Sequence, residues 1–340
     1  MTRGRPTMND VARTAGVSLK TVSRVVNGET TVDPALVARV RAAVDSLHYR
    51  PHLGASMLRR NDRRTATIGL LLEDVGNPFS AVLHRAVEDE ARPRGVHVLT
   101  GSLDEDPERE RELTRAFARR HTDGLILAPA GSDQGYLALE LPPDIPVVFV
   151  DRPAAGFAAD TVLAGNVAGA AEAVRHLIGY GHRHIAFLGD LAGIATARRR
   201  LRGYLTVVDD TGLAPTVVGG LHDSAAAEAA TLDLLDRAEP PTALFTGQNL
   251  ITIGAVRALR RRGRQHTVAL VGFDDFPLAD LLEPGVTVIA QDPAAMGRAA
   301  ARALFERMDG LTAEPREIRI PTTLIPRGSG EISGRPTGSW

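Results

Sequence analysis

From Thr65 onward the chain alternates short apolar, β-branched runs with stretches of helical periodicity, and no other feature narrows its fold so far. The runs are TIGLLLE, VHVLTG, GLILAP, PVVFVD, HIAFLG, TALFTG, VALVGFDD and VTVIAQ, and amphipathic segments such as DPERERELTRAFARRH separate most of them. This βαβ pattern predicts parallel sheets covered by helices. Ligands of such sheets bind beyond the carboxyl ends of the strands, so functional residues are expected just after each run. Polar residues do stand there: Asp74 and Asn77, Asp151, Gln248 and Asn249, and Asp274 and Asp275. Each has an alternative reading as a helix cap or turn residue, strongest for Asn77 before Pro78.

Several function classes fall away. The 340 residues are 44% hydrophobic and 24% charged, a balance that supports more than one globular domain. No run of about 18 apolar residues could span a bilayer, and Met1 to Pro6 lack the apolar stretch of a signal peptide. A cytoplasmic protein with no membrane partner is expected. Cys is absent, which excludes disulfides, thiolate zinc sites and cysteine nucleophiles. The chain also lacks G-x-G-x-x-G after a strand, H-E-x-x-H and G-x-S-x-G. Because Lys20 is the only lysine, the body cannot carry a P-loop or Schiff-base lysine. No catalytic residue, cofactor or metal is expected; His182 and His184 in GHRHIAF have a metal-capable spacing but better fit a strand entry. The basic strings 198–202 and 260–264 are given no nucleic-acid role, since the second closes a helix C-terminus, where cations are favoured.

Net charge becomes informative once divided. Residues 1–64 hold 12 Arg and Lys against 5 Asp and Glu, whereas the remainder holds 28 against 36. A basic head on an acidic body is the footprint of a phosphate-binding module or, equally, of a solvated basic tail. Within the head, Thr7 can cap a helix with Met8, Val11, Ala12 and Ala15 on one face, and Gly16 breaks it. Ser18 caps a second helix, with Val17 and Val22 as a hydrophobic staple. There Val22, Val25 and Val26 point inward, leaving Lys20, Arg24 and Asn27 outward. Asp33 and Pro34 open a third helix with the stripe Leu36, Val37, Val40, Val44 and Leu47. Three such helices fit a helix-turn-helix fold or a helical hairpin whose charges only meet water.

The string TMNDVARTAGVSLKTVSRVVNG resembles the N-terminal signature of the LacI/GalR family of transcriptional regulators. The resemblance implies that Leu19, Lys20 and Arg24 contact base edges while Thr7, Ser18, Thr21 and Asn27 hold the DNA backbone, the usual division between reading and positioning groups. In YRPHLGASMLRRNDRRTA it implies a hinge helix, with Leu58 wedging into the minor groove. IGLLLEDVGNPFSAVL, DGLILAP, VVFVDRP, VRHLIGYGHRHIAFLG and VGFDD resemble the family's effector domain, of the type I periplasmic-binding-protein fold.

The implied architecture is a small all-α helix-turn-helix domain (1–50), a hinge (51–64), and an α/β body with parallel sheets in two subdomains (65–328). The first subdomain spans about 65–163 plus 291–321 and the second about 164–290 plus 322–328. A Gly/Ser/Pro-rich tail, 329–340, is expected to be disordered. Carried over by position, the effector pocket comprises Phe79, Asp151, Arg198, Arg200, Gln248 and Asp274, with His222 roughly where many members place an aromatic ring. The implied partners are a pseudopalindromic operator, a second copy of the chain and a small-molecule effector, a sugar or sugar derivative in the leading reading. A secreted solute-binding protein or a Rossmann-like enzyme would share the body's fold.

Overall fold

The structure is a computed structural model that describes residues 6–26, 29, 31–49 and 64–334. It divides into two compact units, Met1–Thr65 and Ala66–Trp340.

The first unit contains α1 (Met8–Ala15), α2 (Leu19–Val26) and α3 (Pro34–Ser46). Thr7 and Asp10 close a capping box on α1: the Thr7 hydroxyl accepts from the Asp10 N–H at 3.3 Å, and the Asp10 carboxylate accepts from the Thr7 N–H at 2.9 Å. Gly16 ends α1 at φ +62°, a conformation that costs other residues a Cβ clash. Arg39 of α3 donates to the Ala15 and Gly16 carbonyls at 2.7 and 3.1 Å, tying the third helix to this turn. Val11, Ala15, Val22, Val40, Ala43 and Tyr49 form the small core. Leu36 and Val37, expected on the buried stripe, are only half-buried at the start of α3.

The second unit holds two six-stranded sheets. The first comprises β1 (Thr67–Leu72), β2 (His97–Ser102), β3 (Leu125–Leu127), β4 (Val147–Val150), β5 (Asp160–Ala164) and β11 (Glu317–Ile320), in the order β11-β5-β4-β3-β1-β2. The second comprises β6 (Ile185–Leu188), β7 (Thr216–Val218), β8 (Ala243–Thr246), β9 (Ala269–Phe273), β10 (Thr287–Ala290) and β12 (Thr323–Ile325), in the order β12-β10-β9-β8-β6-β7. The two sheets repeat one strand order and differ in the direction of the last edge strand, β11 against β12. Among the described residues every strand pairing is parallel except β10 with β12. The chain crosses between the sheets three times, after Ala164, after Ala290 and after Ile320.

Helices cover both faces, as buried parallel strands require. On the first sheet, Ile68, Leu70 and Leu72 pack with α4 (Pro78–Ala91) and α11 (Pro293–Met308), whereas Leu71 faces α5 (Pro107–Arg119) and α6 (Leu137–Glu140). On the second, Ile185 and Phe187 meet α7 (Asn166–Gly179) and α8 (Ala195–Asp210). Ala186 and Leu188 turn to α9 (Ser224–Leu235) and α10 (Asn249–Arg261). Helix contact is close enough that a Cβ at Gly203 of α8 would strike the Val167 carbonyl of α7. Among the described residues no helix is long and apolar enough to cross a membrane.

For residues 329–334 the expectation of a disordered tail needs correction; residues 335–340 lie outside the described residues. Residues 329–334 are packed against the second sheet: the buried Ser329 hydroxyl donates to the Leu270 carbonyl at 2.6 Å, and Glu331 accepts from Thr287 Oγ1 at 2.8 Å. The composition misled because these small residues gain their order from backbone and hydroxyl bonds, with Ile332 supplying an apolar anchor. Ile332 also presents its carbonyl to His182 Nε2 at 2.9 Å, while Thr242 Oγ1 lies 3.0 Å from Nδ1. His182 is therefore a fully bonded structural residue.

Candidate functional site

The carboxyl ends of the two sheets face one another across a cavity of about 410 Å³. Its walls come from the turns after the strands. Glu73, Asp74, Glu105, Asp151 and Arg152 follow β1, β2 and β4; Asp190, His222, Gln248, Asp274 and Gln291 follow β6 to β10. Asp151 and Asp274 end topologically equivalent strands, and both take left-handed backbone conformations, φ +65° and +70°. Asp tolerates this region better than most residues, and such strain gathers where a side chain must be aimed.

Arg200 organises the wall of the second subdomain. It is 5% exposed, and its Nε donates to Asn166 Oδ1 at 2.7 Å. Its Nη1 reaches the Gly247 carbonyl at 2.8 Å and Asp274 Oδ2 at 3.1 Å, and the guanidinium lies 3.9 Å from the Phe273 ring centroid. Gln291 Nε2 holds the other Asp274 oxygen at 2.5 Å. Opposite, Glu105 grips Arg152 through both carboxylate oxygens at 2.5 and 2.6 Å. Asn77 caps α4 through the Phe79 N–H at 3.0 Å and accepts from Asn249 Nδ2 at 2.9 Å, so one side chain starts a helix and bridges to the other subdomain.

The acids are not equivalent. Burial, reinforced by the Asp151 charge, pushes the Glu73 carboxyl up to about 7 against the opposing pull of Arg152 and Ser80. Burial also raises Asp151, although Arg152 and Arg200 favour its charged form. His222 is raised by its 2.8 Å hydrogen bond to Asp190. Four buried polar atoms of the lining have no hydrogen-bond partner among the described residues: Glu73 Oε2, Asp151 Oδ1, Arg152 Nε and Gln291 Oε1. Buried groups of this kind are normally satisfied, which suits them to a polar ligand.

Of the expected pocket residues, Phe79, Asp151, Arg200, Gln248 and Asp274 line this cleft. Arg198 does not; it is exposed and donates to the Ala192 and Gly193 carbonyls at 2.8 and 2.6 Å. Two residues along α8 from Arg200, it faces elsewhere because a helix turns about 200° over that interval. Glu73, Glu105, Arg152, Asp190 and Gln291 were missed, although each stands within a few residues of a strand's carboxyl end.

In the helix-turn-helix unit, Thr7, Ser18, Leu19 and Lys20 are exposed, and Thr21 and Arg24 are half-buried. Ser18 caps α2 through the Thr21 N–H at 3.1 Å, and its hydroxyl lies 2.9 Å from Thr21 Oγ1. Arg24 is already engaged, by Glu29 Oε2 at 2.7 Å and Thr31 Oγ1 at 2.6 Å. Asn27 and Leu58 lie outside the described residues.

Comparison with known proteins agrees with both units. The family description "bacterial regulatory proteins, lacI family" matches residues 7–52, and a periplasmic binding protein-like domain matches residues 174–330. The chain is 33% identical to the HTH-type transcriptional regulator PtxS of Pseudomonas plecoglossicida over 335 residues, 97% of each protein. It is 31% identical to the ribose operon repressor of Escherichia coli K12 over 330 residues, 95% of this chain and 99% of that one. The solved complex of the transcriptional regulator CelR with cellobiose superposes with a TM-score of 0.68 at 31% identity, covering 96% of this chain and 100% of the other. With relatives this similar along almost its whole length, the chain belongs to the lacI family of bacterial regulatory proteins.

Proposed function

We propose that the chain is a sequence-specific DNA-binding repressor of the cytoplasm, acting as a homodimer on a pseudopalindromic operator and controlled by a small molecule held in the cleft. The observation that carries this reading is the cleft itself: two topologically equivalent subdomains present strained aspartates and unsatisfied buried polar atoms to one cavity. A ligand touching both walls binds open and closed arrangements unequally, and only such a difference shifts an equilibrium. Closure then alters operator affinity through the segment joining the two units. The exposed Lys20 and Leu19 on α2, together with the basic balance of residues 1–64, support the DNA-binding half. A polyhydroxylated, sugar-like effector is supported by the bidentate acids and the guanidinium in the wall, and by a ribose operon repressor and a cellobiose-bound regulator among the relatives.

Nuclease footprinting of the purified chain on the DNA upstream of its own gene tests this reading. A protected, two-fold symmetric site whose occupancy changes with one small molecule is expected. Protection nowhere above that of random DNA would reject it in favour of a solute-binding protein.

A further inference from the structure

Seven carboxylates line the cleft against two guanidiniums and one imidazole. Both guanidiniums are already matched, Arg152 by the bidentate Glu105 and Arg200 by Asp274. Asp190 is held by His222, the Leu191 N–H and Gln248. Asp74 caps the Gly76 N–H at 2.7 Å, and Asp104 stands 3.5 Å from Arg109. The buried carboxyls left without a hydrogen-bonded cation are Glu73 and Asp151, and burial disfavours their charged forms until a cation reaches them.

Glu73 spends one oxygen on the Ser80 hydroxyl at 2.6 Å and leaves Oε2 buried and unbonded. Asp151, 6% exposed, leaves Oδ1 equally unbonded, and its other oxygen is 3.6 Å from Arg152 Nε. Gln291 adds a third unbonded acceptor, Oε1, so with both carboxyls ionised the unsatisfied atoms of the lining among the described residues are three acceptors and one donor. That imbalance has a chemical complement. An ammonium offers three donors and no acceptor, and its charge offsets carboxylates that a neutral hydroxyl would leave uncompensated. An anionic ligand would find, among the described lining residues, no cation without a carboxylate partner, and would add like charge to a low-dielectric site.

We propose that the effector is a cationic, amine-bearing polyol whose ammonium is received by Asp151 and Glu73. This rests on the reading of the cleft as the effector site and specifies the charge of what it takes. It also explains why the site has more acid than its guanidiniums require.

The test uses glucamine, sorbitol and gluconate, which share a hydroxylated chain and differ at one terminus by a positive, neutral or negative group. Each is titrated calorimetrically into the full chain in amine-free buffer at fixed salt, and its effect on operator affinity is measured in parallel. Glucamine should bind at least about 10-fold more tightly than sorbitol, a gap of about 1.4 kcal/mol, and gluconate most weakly. Glu73→Gln and Asp151→Asn, with unchanged circular dichroism, should each shrink the gap between glucamine and sorbitol. If sorbitol or gluconate binds as tightly as glucamine, or the gap survives both variants, the cationic assignment falls and the effector reading stands. If none of the three binds and operator affinity responds to none of them, both fall.

Discussion

Replacing Arg200 with alanine removes the residue on which the second wall of the cleft is built. Asp274 would keep Gln291 but lose its only guanidinium partner among the described residues, with its side chain about as buried as before. Breaking one partner of a buried ion pair costs about 3–5 kcal/mol, because the remaining charge stays desolvated. The Asn166 and Gly247 acceptors and the Phe273 face lose their partner as well, but these losses overlap with the first and do not add. For a domain of comparable size each kcal/mol moves the melting temperature by about 2–4 °C, so Arg200→Ala should lower it by about 10 °C. Urea unfolding followed by circular dichroism gives the free energy directly. The double variant Arg200→Met, Asp274→Asn removes both charges and should recover at least about 1.5 kcal/mol relative to the sum of its singles. A single variant within about 1 kcal/mol of the parent, or a double variant showing simple additivity, would refute the claim that this pair organises the wall.

Other expectations are more local. Gly16→Ala forces a left-handed conformation at φ +62° and brings a Cβ to 2.8 Å from Arg39 Nη2, so it should destabilise the helix-turn-helix unit by about 1–2 kcal/mol, read as its own melting transition. Arg24→Ala should lower affinity for the operator by about 1–3 kcal/mol more than for random duplex; equal weakening on both would remove the base-reading role. Asn249→Ala deletes the bridge to Asn77 and should raise cleft mobility, measured as faster amide exchange in the turns after β1 and β8. Glu73, raised by burial to about 7 from 4.5, favours its protonated form in the folded chain; its stabilising share is complete below pH 4.5 and is lost as pH rises through about 7. The groups facing it are Asp151, Arg152 and Ser80, and Glu73→Gln should remove this loss, flattening the stability profile between those limits.

Much of the body was legible because buried parallel strands write themselves as apolar runs. All eight runs became strands, β1 to β4, β6 and β8 to β10. The other four carry weaker signals. β7, β11 and β12 are edge strands with half-buried or exposed residues, and their sequences, TVV, EIRI and TLI, are too short to stand out. β5 begins at Asp160, whose buried carboxylate reads as a loop residue until Arg307 and Arg316 are seen to hold it. Burial opposes its ionisation, yet those hydrogen bonds keep it well below the usual carboxylate range. The cleft was legible where an acid directly follows a strand-like run, as at Asp151 and Asp274. Glu73 was hidden because it closes TIGLLLE and was read as part of that run. Glu105 sits in a loop of acids where sequence cannot show which one meets Arg152. Arg24 shows a further limit: its outward position was legible, but spacing alone does not show that it pairs with Glu29.

The most direct measurement is the affinity of the full chain for its protected upstream DNA, relative to random duplex at the same salt, with and without saturating amines and polyols. The account predicts a strong preference for the protected sequence and a change of roughly 5–150-fold in that preference with one compound, the range typical of allosteric coupling. Equal affinity for both duplexes, or a sequence preference that no cleft ligand moves, would contradict it.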